Sequence, residues 1–61
     1  MDVATVVAQL REAEACIGRA IGELENSGGA DPKAATEYVA DTLRSLAEAM
    51  TALETARAAG A

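Results

Sequence analysis

The sequence predicts an all-α protein: one antiparallel helix–turn–helix hairpin that dimerises into a four-helix bundle. Three observations carry this expectation. Two long segments with helical apolar periodicity flank a single cluster of chain breakers between Asn26 and Pro32. Both segments repeat one seven-residue pattern of large and small side chains. And 61 residues with no Phe or Trp offer a thin core, only twelve aliphatic side chains larger than alanine at core positions, which a second chain would remedy.

The first helix is predicted over about residues 3–25. Asp2 stands directly before the periodic run, where its carboxylate can accept from the first free backbone N–H groups. The turn covers about residues 26–31: Gly28 suits the left-handed position that ends a helix, and Gly29 loosens the link. Asp31 reads as the second N-cap and Pro32 as the first helical residue, where a missing N–H costs nothing. The second helix continues over about residues 32–59, with Gly60 as its stop. A connection this short makes the helices antiparallel neighbours within a single domain, residues 1–61.

The heptads name the packing residues. Val3, Leu10, Ile17 and Leu24 recur every seven positions in helix 1, as do Val39, Leu46 and Leu53 in helix 2. A small residue follows three later: Val6, Ala13 and Ala20, then Thr42, Ala49 and Ala56. A mostly large one follows four later: Val7, Glu14 and Ile21, then Leu43, Met50 and Arg57. The predicted dimer core is therefore Val3, Val7, Leu10, Ile17, Ile21, Leu24, Val39, Leu43, Leu46, Met50 and Leu53. A seven-residue period favours near-parallel, left-handed packing, and large-against-small layers interdigitate in such bundles. With a turn centred near Gly29, four couples of opposite charge are expected across the helices: Asp2–Arg57, Arg11–Glu48, Glu14–Arg44 and Arg19–Asp41. Each is worth at most about 1 kcal/mol at a surface and would select register more than stabilise it.

In length, hairpin layout and alternating large and small layers, the chain resembles the Rop family of small plasmid-encoded RNA-binding proteins. That resemblance implies a dimer of hairpins. The acidic surface and missing phenylalanine depart from the family's RNA-binding face, so the architecture carries over and the RNA does not.

Composition excludes several chemistries. The net charge is −5, with five basic residues spread among ten acidic ones. A grip on nucleic acid needs clustered Lys and Arg to displace counterions, so DNA and RNA are poor candidate partners, as are anionic membranes. No apolar run approaches about 18 residues and no signal-peptide pattern is visible, so the sequence reads as soluble and cytoplasmic. Four Arg to one Lys and 16 Ala hint at a GC-rich bacterial or phage source. One cysteine cannot close an internal disulfide, and without histidine a structural zinc site has no ligand set. There is no His for general-base work and no Glu-x-x-His pair for a di-iron centre, so no enzyme, cofactor or metal is expected.

Individual residues carry weaker signals. Glu14 reads as a flank carboxylate paired with Arg44 rather than a catalytic one. Cys16 reads as a small half-buried hydrophobe, a cross-link between chains being the alternative. Tyr38 suits equally a binding anchor and an end cap of the core. Gly18 and Gly22 each cost about 1 kcal/mol against alanine in a helix interior. They belong to a second, smooth stripe, Ala4, Ala8, Arg11, Ala15, Gly18 and Gly22, on which another backbone could approach closely. The stripe is the candidate partner face, an alanine-rich exposed surface being the plainer reading. The expected function is a small acidic, non-enzymatic protein–protein interaction module acting as a homodimer: an adaptor, an antitoxin-like protein or a phage-type inhibitor. The alternative is a Rop-like nucleic-acid regulator, which requires a basic patch on one face of the dimer.

Overall fold

The computed structural model describes residues 1–30 and 32–60. Helix α1 spans Val3–Ser27 and α2 spans Pro32–Gly60, packed side by side as a hairpin. Asp2 caps α1 as expected. Its extended backbone turns the carboxylate back to accept from the Ala4 and Thr5 N–H groups, and the Thr5 hydroxyl donates to it at 2.6 Å. These bonds favour the ionised form and hold the Asp2 carboxyl below its ordinary range, the Thr5 hydroxyl contributing most. α1 runs two residues beyond the predicted end. It stops where Gly28 and Gly29 take φ of 61° and 84°, left-handed values that side chains disfavour. Their N–H groups turn back onto the Leu24 carbonyl. Pro32 opens α2 in the first helical position, and Gly60 belongs to its last turn rather than following it. The N-cap expected at Asp31 lies outside the described residues.

The contact between the helices is made of small side chains. Val6, Ala13, Cys16 and Ala20 from α1 meet Ala35, Thr42 and Ala49 from α2, each at most 5% exposed. The Thr42 hydroxyl satisfies itself inside its own helix, donating to the Tyr38 carbonyl at 2.8 Å. Methyl-sized residues let two helices approach toward the short end of the usual spacing of about 8–10 Å.

The heptad is thus divided between two surfaces. The small positions hold the hairpin together, while the large ones are turned about 60–100° around each helix at 100° per residue. Seen from one end of the hairpin, residue numbers advance in opposite angular senses in the two antiparallel right-handed helices, so the large positions of both emerge on the same side. The hairpin is a slab of 48 × 16 × 11 Å, two helices wide and one thick, with no second layer over that side. Among the described residues, no helix is long and apolar enough to cross a membrane.

The four couples of opposite charge expected across the helices do not form. Among the described residues the ion pairs run along single helices, Arg44–Asp41 at 2.9 Å and Arg19–Glu12 at 3.8 Å. Asp2 is engaged by its cap instead. Facing numbers set the height of a residue along the hairpin and leave its angle open. Arg11 and Arg44 lie on the far sides of their helices, where a partner at the same height is out of reach. The cross-helix polar bond that does form joins Gln9 Nε2 to Glu48 Oε2 at 3.5 Å.

Candidate interaction surface

The uncovered side of the slab holds all eleven residues expected to form a dimer core. From α1 come Val3, Val7, Leu10, Ile17, Ile21 and Leu24, and from α2 Val39, Leu43, Leu46, Met50 and Leu53. Each is 39–66% exposed along with Met1, the highest value among the eleven being 62% at Leu43. Isolated exposed apolar residues are ordinary; here they are contiguous along one side of the hairpin. The total accessible surface is 4360 Å². A compact monomer of 6.2 kDa would expose about 3,700 Å², so this chain carries a surplus of several hundred Å².

Charge is nearly absent from the face. Glu14 takes the flanking heptad position between Val7 and Ile21, and Arg57 takes the equivalent position in the last turn of α2, where a cation suits the helix dipole. Glu14 is exposed and its expected pairing with Arg44 is not made, because Arg44 donates to Asp41. Arg11, one turn before Glu14, is also exposed, and neither residue has an ion-pair partner within the hairpin.

The smooth stripe lies on the outer side of α1. Ala4, Ala8, Arg11, Ala15 and Gly18 are exposed and Gly22 is half-buried. A Cβ built at Gly18 or Gly22 meets nothing within 4 Å, so the hairpin itself does not require glycine at either position.

Cys16 belongs to the seam more fully than its sequence position suggested. It is 3% exposed, its thiol directed to Glu12 Oε1 at 3.6 Å, with Arg19 Nη1 donating to the sulfur at 3.8 Å. Burial, and then the neighbouring Glu12 carboxylate, push the thiol above its ordinary pKa, the reverse of what a reactive cysteine needs. Tyr38 is half-buried near the turn.

At the open end of the hairpin the helices leave a groove of about 410 Å³, lined by Met1, Asp2, Thr5, Val6, Gln9, Ala52, Thr55, Ala56 and Ala59. It opens on the side opposite the large apolar face. Gln9 Oε1 is buried beside it with no hydrogen-bond partner. The sequence reading passed over Gln9 because a lone glutamine among alanines carries no periodic signal. The groove lies where the α1 N-terminus meets the end of α2, a juxtaposition that only the hairpin register creates. Among the described residues no group of three or more His, Cys, Asp or Glu is placed to hold a metal ion. Comparison with protein-family models, with curated proteins and with solved structures finds no match to this chain.

Proposed function

We propose that this protein is a small, non-enzymatic protein–protein interaction module that works as a homodimer, two hairpins joined through their large apolar faces into a four-helix bundle. The observation that carries the reading is the continuous face from Val3 to Leu24 and from Val39 to Leu53 on one side of a slab one helix thick. Two hairpins compacted to the surface expected of their joint mass would bury about 1,300 Å² each, comfortably above the roughly 800 Å² per partner of a standard stable interface. The face is also large enough to supply the core that the methyl-sized seam does not, since each buried CH₂ contributes about 0.8 kcal/mol. Once paired, the bundle presents only its acidic and alanine-rich outer surfaces, and these are where an adaptor or inhibitor would meet its target. A nucleic-acid role gains no support from Arg19 and Arg44, which are engaged with carboxylates on their own helices.

Sedimentation equilibrium tests the reading. The expected mass is twice 6.2 kDa, with a melting temperature that rises with protein concentration. A folded monomer whose melting is independent of concentration would overturn it.

A further inference from the structure

We infer that the groove at the open end of the hairpin binds a primary ammonium on a short aliphatic chain. The occupant it fits is a lysine side chain of a partner protein. The groove lies within a single hairpin and opens away from the large apolar face, so it is present whether or not two copies pair. The choice of a protein as the source of the lysine rests on the interaction-module reading above.

The lining carries the inference. Val6, Ala52 and Ala56 give the groove apolar walls. Its polar side chains present acceptors. The Thr5 hydroxyl gives its one hydrogen to Asp2 at 2.6 Å, and the Thr55 hydroxyl gives its own to the Thr51 carbonyl at 2.9 Å. Each oxygen has only lone pairs left to offer. The cap bonds of Asp2 favour its ionised form, and no described cation, the Met1 ammonium included, makes an ion pair with it. Gln9 Nε2 donates to Glu48, which leaves Oε1 turned inward, buried and without a hydrogen-bond partner. Turning the amide over would set its oxygen against the Glu48 carboxylate, so charge favours this orientation. Gln9 as a whole is half-buried, and a turn about its last side-chain bond carries Oε1 to a donor in the groove.

The backbone agrees in sign. The last turn of α2 borders the groove, and its free carbonyl oxygens form the negative end of the helix dipole. The positive end of α1 is covered by the Asp2 carboxylate. Such a lining disfavours carboxylates and phosphates. An ammonium on a straight chain answers both of its parts, with three donors for the acceptors and methylenes for the alanine walls. A guanidinium fits less well, because its fork seeks two free oxygens of one carboxylate and both oxygens of Asp2 are already engaged.

The test follows backbone amide NMR shifts during titration in about 0.15 M salt, which screens distant charges. Four probes are compared: acetyl-Ala-Lys-Ala-amide, its norleucine analogue, n-butylammonium and tetramethylammonium. The lysyl peptide and butylammonium should shift Asp2, Thr5, Gln9 and Thr55 saturably at millimolar concentrations. The norleucine peptide has no charge and tetramethylammonium no N–H, so neither should saturate. Asp2→Asn keeps a capping side chain while removing the charge, and should weaken binding about tenfold. Gln9→Met keeps the length while removing the acceptor, and should weaken it about threefold or more. Shifts scattered over the acidic surface, equal saturation by tetramethylammonium, or an affinity unchanged in either variant overturns the site. Butylammonium binding without binding of the lysyl peptide overturns the partner's lysine as the occupant. None of these outcomes bears on the homodimer, which sedimentation decides.

Discussion

Leu43→Ala isolates the contribution of the uncovered face, because Leu43 is already 62% exposed in the hairpin. Truncating leucine to alanine removes about three CH₂ equivalents, roughly 2.4 kcal/mol when they are fully buried. A lone hairpin realises about a third of that, so its own stability should fall by about 1 kcal/mol. The remainder is realised only on pairing, and twice per dimer. Dimerisation should therefore weaken by about 3 kcal/mol, about a hundredfold in Kd, with any unfilled cavity adding to the loss. Sedimentation equilibrium over a concentration series reads the association, and thermal melting by circular dichroism at two concentrations reads the fold. The expected pattern is a large shift of the monomer–dimer midpoint and a melting temperature that drops most in dilute samples. If Leu43→Ala lowers melting equally at all concentrations and leaves the association constant unchanged, the face is not the pairing surface and the reasoning fails.

Three further outcomes follow from the geometry. Ala49→Leu forces a large side chain into a seam position that is 1% exposed; overpacking should cost about 1–3 kcal/mol, and a chemical denaturation midpoint equal to that of wild type would contradict the close helix contact. Gly18→Ala with Gly22→Ala should stabilise the protein by up to about 2 kcal/mol, since added Cβ atoms meet nothing within 4 Å, whereas Gly22→Leu should leave the dimer folded and lose a captured partner only if the smooth stripe is its docking face. Asp2 is held below its ordinary range, so its cap stabilises above the unfolded value of about 3.9 and that stability is lost as pH falls through the lower folded value; the melting advantage of wild type over Asp2→Ala should shrink in acid, and an advantage unchanged down to strongly acidic pH would exclude the carboxylate as its source.

Much of this fold was legible because its signals are local. A carboxylate before an apolar run, glycines at a left-handed turn and a proline opening the next helix each act through bonds within a few residues. Asp2, Gly28 and Pro32 were read correctly for that reason. The identity of the large and small stripes was legible too, since a seven-residue period needs no partner to be seen. What the letters did not convey was the rotation of each helix about its own axis. Val3 and Val6 belong to the same heptad, and only the choice of which stripe faces the neighbour sends Val6 to the seam and leaves Val3 outside. The failed cross-helix charge couples have the same origin. Their heights were sound and their angles were not, so Arg44 finds Asp41 one turn away along its own helix. The Gln9 groove needed both helix ends in place before it existed at all.

The seam between the helices also constrains how this protein can change. Among the described residues, six of its seven buried positions carry Val, Ala or Cys, and the seventh carries a threonine whose hydroxyl is already engaged. Replacing an alanine there leaves only glycine as a smaller choice, which loosens the helix, while anything larger drives the helices apart. Substitution at the seam is thus confined from both directions. The wide face of leucines, isoleucines and valines is different, because volume-conserving exchanges among such residues are usually tolerated at modest cost. On the proposed pairing, mutational drift can therefore adjust the strength of association in small steps across that face while the hairpin beneath it stays fixed.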